Sequence, residues 1–482
     1  MRGRRSAQAA PAGPDAGAAR GIASSGRLGR TALAALPGPE TGRGSEVSVT
    51  SGPLSPGARP VVSALPQQAK GAQVLNADTA DALAKAADMA LARRTPLALW
   101  LASAGSDLLG GVAALDGWGR VAAALSRCSG VVPVVAVVDG PLLSGPALLL
   151  GLADAVVMTA QALAYVSGPA AVAELTGSAV QPAQLGGAHV HSARSGVATL
   201  AVRDGPQAEQ AVEDFLSYLP SNCDELAPIV PSADPVSRQN PELRDVVPVR
   251  ATGSYDVREV IEAVADDRRL LELRPAWAPQ LVTALVRIGG HSVGVLANQP
   301  QAMSGTLDIA ASQKGARFVA MCDVFNVPLL TMVDTSGFMP GRDLEWRGII
   351  RHGAELVYAY AEASVPRVCL VLRKAYGGAY IVMDSKAMGN DICVAWPGAE
   401  LAVMGAEGAV SVVHRRADEA TKVKLVDQYR RDYLNPYVAA ERGYVDLVID
   451  PAETRSTVAR CFSLLRTKRE GLARRKHGNS PL

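Results

Sequence analysis

The sequence predicts an α/β protein built from two domains of similar fold, and three observations carry this prediction. Hydrophobic residues make up 48% of the 482 residues and aromatic residues only 4%, a composition typical of helices and buried parallel strands packed with small side chains. Valine-rich runs at 133–138 and 367–372 each lead into a Gly-containing loop, which indicates an internal duplication. A chain of this length also exceeds one ordinary core.

Shifts in composition divide the chain into three regions. Residues 1–70 are rich in Ala, Gly, Pro, Ser and Arg without apolar periodicity, so we expect a disordered tail. The two domains then occupy residues 71–240 and 241–482. A Pro-punctuated stretch, 231–249, reads as the linker at their boundary.

Helices and strands alternate in both domains. Each predicted helix shows apolar residues at helical spacing, and each predicted strand is a continuous apolar run, as expected for a strand buried on both faces. In the first domain the predicted elements are a helix from Asp78, strand 97–101, helix 112–125, strand 133–138 and loop 139–146. In the second domain they are helix 308–325, strand 328–333, helix 349–363, strand 367–372 and loop 373–379.

Bulk properties exclude several classes of function. A formal net charge of +2 gives no field that would attract nucleic acid or anionic lipid. No apolar run approaches the roughly 20 residues of a membrane span, and the basic start Met1–Arg5 lacks the apolar segment of a secretory signal. The six cysteines lack paired spacings, so we expect reduced thiols in a cytoplasmic protein.

Two residue patterns invite other chemistry and are set aside. His189 and His191 alternate and would share one face of a strand, but such a pair alone is seldom a metal site, so no metal is predicted. Ser336 follows Asp334 in a loop, yet it lacks a Gly-x-Ser-x-Gly elbow, and His352 has no placement that would complete a triad. Loop structure is the interpretation of Ser336.

The turn Gly377-Gly378-Ala379 is the strongest chemical candidate. A turn between a strand and a helix exposes unpaired backbone N–H groups, and glycine lets a carbonyl oxygen approach them to about 2.7–3.1 Å, the geometry that stabilises an oxyanion. A tight connection without chemical function is the alternative for these residues.

Short strings throughout the second half resemble the β subunits of biotin-dependent acyl-CoA carboxylases, which belong to the crotonase superfamily. The strings occur in the family's order. They are Asn298–Pro300, Ser304–Asp308, Lys314–Val319, Asp323–Pro328, Gly348–Ala354, Arg373–Tyr380, Ala395–Pro397, Ala402–Ala406, Asn435–Tyr437, Lys476–Asn479 and Pro481–Leu482. A weaker resemblance covers about 73–222.

The resemblance implies two crotonase-like domains and a carboxyltransferase. The first domain of one subunit would bind a short acyl-CoA of the acetyl or propionyl type, and the second domain of its partner would receive carboxybiotin. No catalytic side-chain base is implied, because biotin itself takes the α-proton. The implied partners are a biotinylated α subunit and a second copy or a homologous β subunit, in a dimer or higher oligomer.

The resemblance also assigns site residues. The Gly378 and Ala379 amides would hold the ureido oxygen of biotin, while Ser144 and Gly145 would stabilise the thioester enolate. The residues expected to contact substrate are Gly377, Tyr380, Ile381, Gly168 and Pro169.

Departures from the family concentrate in the first domain. Its Gly-Gly-Ala turn reads Ser144-Gly145-Pro146 here, and proline has no N–H to donate. Asp107 stands where the family has a cation near CoA, and the family's first strands are expected to be missing or replaced by the tail. Two alternatives therefore stay open: a biotin-independent decarboxylase of malonyl-type thioesters, and a non-catalytic partner of an active β subunit.

Overall fold

Two β-sheets organise the part of the chain that the structure describes. This structure is a computed structural model, and it describes residues 47–55, 58–66, 75–105, 111–248, 253–468, 470–471 and 476–481. These residues belong to one compact unit. Among them, no helix has the length and apolar character needed to cross a membrane.

The first sheet is mostly parallel, with strand order β1-β2-β3-β4-β5-β7 and β6 paired to β4. Its strands are β1 (Val47–Pro53), β2 (Pro60–Pro66), β3 (Leu97–Ser103), β4 (Val134–Leu143), β5 (Ala155–Thr159), β6 (Leu163–Tyr165) and β7 (Leu200–Val202). The accompanying helices are α1 (Ala77–Arg93), α2 (Val112–Cys128), α3 (Pro169–Thr176), α4 (Pro182–Gly186), α5 (Ala188–Val190) and α6 (Gly205–Ser217).

The hairpin of β1 and β2 corrects part of the predicted tail. These strands pair antiparallel from Val47↔Pro66 to Pro53↔Pro60, and β2 continues the sheet beside β3. Val61 and Val62 are buried there, so the first strands of this domain are present. Residues 1–46 of the predicted tail lie outside the described residues.

The second sheet repeats the arrangement in the order β15-β13-β12-β11-β10-β9-β8, with β14 paired to β12. Its strands are β8 (Leu270–Leu273), β9 (Leu281–Ile288), β10 (His291–Asn298), β11 (Leu329–Thr335), β12 (Arg367–Tyr376), β13 (Ile392–Ala395), β14 (Glu400–Ala402) and β15 (Leu447–Val448). The helices are α7 (Leu243–Val246), α8 (Val257–Val264), α9 (Ile309–Val324), α10 (Arg342–Trp346), α11 (Ile349–Glu362), α12 (Gly377–Val382), α13 (Ala406–Val413), α14 (Glu419–Tyr433), α15 (Pro436–Glu441) and α16 (Thr454–Leu465).

Alternate side chains of the central strands enter different cores, which explains their unbroken apolar runs. In β4, Val134 and Val138 pack into a core of the first domain, while Val135 and Val137 join a core shared by both domains. In β12, Leu370 similarly joins a core of the second domain, whereas neighbours on the opposite face join the shared core. Successive strand residues point to opposite faces, so both faces of each sheet are buried.

Lys314 fixes the turn between β8 and β9, which contacts the first domain. It lies on α9, is 1% exposed, and its Nζ donates to the carbonyl oxygens of Arg274 and Trp277 at 2.9 Å. From that turn, Arg274 Nε donates to Gly196 O at 2.8 Å in the first domain. Desolvation lowers the pKa of Lys314 to about 7.

Candidate functional site

The turn at the end of β12 presents backbone N–H groups. Tyr376 ends the strand, Gly377 takes φ +60°, and α12 begins there. The N–H groups of the first three residues of a helix have no acceptor within that helix, so those of Gly377, Gly378 and Ala379 are unpaired within α12. A Cβ added at Gly378 would lie no nearer than 3.9 Å to another atom, the Phe338 Cε2, so the space beside this turn is open.

Buried contacts hold this turn in place. Ala379 is fully buried in the shared core. At the other end of α12, Arg367 Nη1 donates to Asp384 Oδ1 at 2.6 Å, and both side chains are buried. Desolvation raises the pKa of Asp384 to about 6, although the Arg367 charge acts in the opposite direction. The N–H groups are therefore carried by a short helix anchored at both ends.

Tyr380 and Ile381 point in different directions from α12. Tyr380 is half-buried and packs against the shared core, and desolvation raises its pKa. Ile381 is 40% exposed, so its side chain can reach a bound molecule. Phe338, which sequence reasoning did not single out, lies across from Gly378 because β11 and β12 are parallel neighbours whose carboxyl ends meet.

The turn at the end of β4 occupies the equivalent place in the first sheet. Leu143 pairs with Tyr165 of β6 just as Tyr376 pairs with Ala402 of β14. The next residue, Ser144, has φ +67°, close to that of Gly377. Gly145 therefore corresponds to Gly378, and Pro146 to Ala379.

The first-domain turn has fewer N–H groups to offer. The Ser144 N–H donates to Tyr165 O at 2.9 Å, and Pro146 has none. Gly145 opens a 3₁₀ helix (Gly145–Leu152), so its N–H has no acceptor within that helix. The Ser144 N–H, a predicted donor to substrate, is therefore already hydrogen-bonded, because Ser144 extends the pairing of β4 with β6. Gly145 remains a predicted donor.

Trp118 of α2 covers Gly145. A Cβ built on Gly145 would lie 3.0 Å from both Nε1 and Cε2 of the indole, so glycine permits this contact. The Nε1 atom is buried and has no hydrogen-bond partner among the described residues. Sequence reasoning missed Trp118 because it lies on a different element from Gly145.

Gly168 and Pro169 lie near the same turn. Gly168 caps α3, and a Cβ there would lie 3.6 Å from the ring of Tyr165, the residue that accepts the Ser144 N–H. Both are partly exposed. The structure therefore places Gly168 beside Tyr165, whose carbonyl oxygen accepts the Ser144 N–H. Asp107 lies outside the described residues.

Both strand extensions differ from the sequence prediction. Residues 139–143 and 373–376 were expected in loops but continue β4 and β12. The short strands β6 and β14 come later in the chain and pair with them. In the first sheet the pairing of β3 with β4 shifts register between Leu101 and Ser103. In the second sheet the pairing of β11 with β12 shifts between Val333 and Thr335. Each turn follows such a shift.

Two of the residues set aside for metal or hydrolytic chemistry, His191 and His352, have structural partners. His191 lies on a short π-helix, which corrects the predicted strand, and contacts Ser195 Oγ and Ala164 O at 2.7 Å. His352 Nδ1 pairs with Glu355 Oε1 at 2.7 Å. Within the described ranges, no group of three His, Cys, Asp or Glu residues is arranged to hold a metal.

The chain is similar to known proteins over most of its length. Residues 44–480 match the family model of the carboxyl transferase domain. The chain is 44% identical over 400 residues to the methylmalonyl-CoA carboxyltransferase 12S subunit of Propionibacterium freudenreichii subsp. shermanii, covering 82% of this chain and 76% of that protein. It is 44% identical over 419 residues to the propionyl-CoA carboxylase beta chain of Saccharopolyspora erythraea, covering 83% and 77%.

A solved structure supports the same relationship. The transcarboxylase 12S crystal structure, a hexamer assembly with methylmalonyl-coenzyme A and methylmalonic acid bound, aligns with a TM-score of 0.87 and 41% identity over 91% of this chain and 85% of that one. This likeness confirms the predicted α/β fold of two crotonase-like domains. Another relative, the methylmalonyl-CoA decarboxylase subunit alpha of Veillonella parvula, is 40% identical over 381 residues, covering 79% of this chain and 74% of that protein.

Proposed function

Since the chain belongs to the carboxyl transferase family of biotin-dependent acyl-CoA carboxylases, we propose that it carboxylates the α-carbon of a short acyl-CoA, of the acetyl or propionyl type. The carboxyl group comes from carboxybiotin on the carrier domain of a biotinylated α subunit. A cytoplasmic location stays a prediction.

The observation that carries this proposal is the open turn Gly377-Gly378-Ala379. Carboxybiotin supplies the carboxyl group and, once that group has left, the base for the α-proton. The N–H groups of Gly378 and Ala379 stabilise negative charge on the ureido oxygen, at about 2.7–3.1 Å when the ligand is bound. Gly378 leaves open space for that oxygen, and the core contacts of Ala379 fix the direction of the donors.

The first-domain turn serves the half of the reaction that takes place on acyl-CoA. The Gly145 N–H stabilises the oxygen of the thioester enolate, and Gly168 and Pro169 flank the acyl-CoA. Removing one donor from an oxyanion site typically lowers kcat about 10²–10³-fold. Because Pro146 contributes no N–H, enolate formation at this turn limits the rate of carboxyl transfer.

A second copy of the chain, or a homologous β subunit, completes the site. Val412 and Val413 on α13 are each 69% exposed, and Val423 on the neighbouring α14 is 64% exposed. Exposed apolar clusters mark interaction surfaces. We place the partner's first domain against this surface, so that one subunit holds biotin and the other holds acyl-CoA.

Two alternatives follow from the first-domain turn and from the relatives. A decarboxylase of a malonyl-type thioester needs the same enolate stabilisation in reverse, and one relative carries such a name. A non-catalytic assembly partner is favoured by the absence of an N–H at Pro146 and the engagement of the Ser144 N–H.

One assay separates these three functions. The purified chain, ATP, labelled bicarbonate and a biotinylated α subunit are incubated with a panel of acyl-CoAs, and malonyl-CoA is offered separately without biotin. Acid-stable label in the acyl product supports the carboxyltransferase. Absence of label with any partner contradicts it, and CO₂ release from malonyl-CoA would then identify the decarboxylase.

A further inference from the structure

A cavity opens at the edge of the second sheet opposite the Gly377 turn. It has a volume of about 400 Å³, within the roughly 300–1,000 Å³ of small-molecule sites. It lies where β11 and β12 begin, whereas the Gly377 turn follows the end of β12. Its apolar walls include Ile229, Val236, Ile288, Val293, Val365 and Phe462.

One wall of the cavity has an open strand edge. β10 begins at His291, but its pairing with β11 begins only at Gly294↔Leu329. Residues His291, Ser292 and Val293 therefore precede the parallel ladder, and all three line the cavity.

Ser292 is the observation that indicates a ligand. Its side chain is only 3% exposed, and its Oγ has no hydrogen-bond partner among the described residues. Burying a hydroxyl without a hydrogen-bond partner is unfavourable, so this Oγ is a candidate contact for a ligand in the cavity.

A further donor lines the same cavity. Arg466, which follows α16, is exposed and makes no ion pair within the described ranges. The other charged groups of the lining are paired, since Lys468 contacts Asp391 and Glu470.

An apolar body with an anionic end matches this lining. We propose that the cavity is a binding site for a small aliphatic carboxylate, whose chain packs on the apolar walls and whose carboxylate accepts hydrogen bonds from Ser292 and Arg466. The site is distinct from the proposed carboxyl-transfer site, and it does not depend on that activity.

Calorimetric titration of the full chain tests this site, with hexanoate, octanoate and 1-octanol as probes below their aggregation concentrations. Octanoate binds roughly tenfold tighter than hexanoate because it buries two more methylenes. Arg466→Ala weakens octanoate about tenfold and Ser292→Ala about fivefold. Arg460 is an exposed arginine of α16 that lies outside the cavity, and Arg460→Ala leaves the Kd for octanoate unchanged.

Blocking the cavity gives an independent readout. Val236 is 44% exposed at the rim, so Val236→Trp fills the mouth without disturbing a core and abolishes octanoate binding. Three results would overturn the proposal: no saturable binding of octanoate, equal affinity for octanoate and 1-octanol, or octanoate affinity that Val236→Trp leaves intact. A change of oligomeric state in Val236→Trp without a change in octanoate affinity would instead make the cavity an interface between copies.

Discussion

Ser144 and Gly377 occupy the same position in the two sheets, each directly after a central strand and each with positive φ, +67° and +60° respectively. Left-handed backbone costs a non-glycine residue free energy, so Ser144 keeps this conformation because the surrounding turn requires it. The duplicated turns differ two residues further along, where Pro146 lacks the N–H that Ala379 has. The chemical asymmetry between the two domains follows from that difference.

Restoring the missing donor should accelerate the acyl half of the reaction. Pro146→Ala supplies an N–H where the second domain has that of Ala379, and we expect kcat for carboxyl transfer to rise by about 10–100-fold, with a smaller change in KM for acyl-CoA. Pro182→Ala is the control, since this proline also opens a helix but lies outside both turns. An unchanged kcat would show that the Pro146 position does not face the enolate.

The interdomain contact of Gly196 should be sensitive to one methyl group. Gly196 has φ +69°, and a Cβ there would lie 2.3 Å from the Trp277 ring. We expect Gly196→Ala to lower the free energy of unfolding by about 2–4 kcal/mol, the sum of overpacking and backbone strain. Gly177→Ala, with φ +71° and no atom within 4 Å, carries the strain alone and isolates the packing contribution. Equal urea midpoints for the two variants would contradict this assignment.

Lys314 should make stability depend on pH above neutrality. Its pKa is about 7 in the folded chain and near 10.5 when unfolded, so between these values only the unfolded chain keeps the proton, and stability rises with pH. Lys314→Met removes this contribution together with three hydrogen bonds from Nζ to backbone carbonyl oxygens. The urea midpoint of the native chain relative to Lys314→Met should therefore increase from pH 7 to pH 9. Lys85→Met, at an exposed lysine, serves as control.

The exposed valines of α13 should support assembly. Val412→Asp places a charge in the proposed contact, so we expect sedimentation velocity to show dissociation toward monomer and carboxyl transfer to fall in parallel. Leu464→Asp, at a 72% exposed position on α16, tests whether any apolar-to-acid change has this effect. If the Val412→Asp variant remained a stable oligomer, the subunit interface would not include this surface.

Local patterns predicted most of the fold, and tertiary pairing explains the differences. The helix beginning near Asp78 follows from apolar periodicity, and the strands predicted at 97–101 and 328–333 follow from continuous apolar runs. The hairpin at 47–66 was missed because its small and polar residues, with three prolines at its ends, show no strand pattern until they pair with each other and β3. The extension of β12 to Tyr376 depends on β14, which is encoded further along the chain.

The candidate site was predictable where it consists of consecutive residues. Gly377, Gly378 and Ala379 form one turn that a sequence displays directly. Trp118 and Phe338 lie on other elements and reach the turns only through packing, so no local signal marks them. The Ser144 N–H also depends on a distant partner, Tyr165 O, whose pairing sequence spacing does not reveal.

The most direct measurement compares the native chain with Ala379→Pro in the transfer of labelled carboxyl from a biotinylated α subunit to propionyl-CoA. Ala379→Pro removes the donor in the first turn of α12, where proline is tolerated, and unfolding curves verify that the variant folds. We predict acid-stable labelled product from the native chain and a loss of about 10²–10³-fold in kcat for the variant. No product from the native chain, or equal rates for both proteins, would contradict the assignment of this turn to carboxyl transfer.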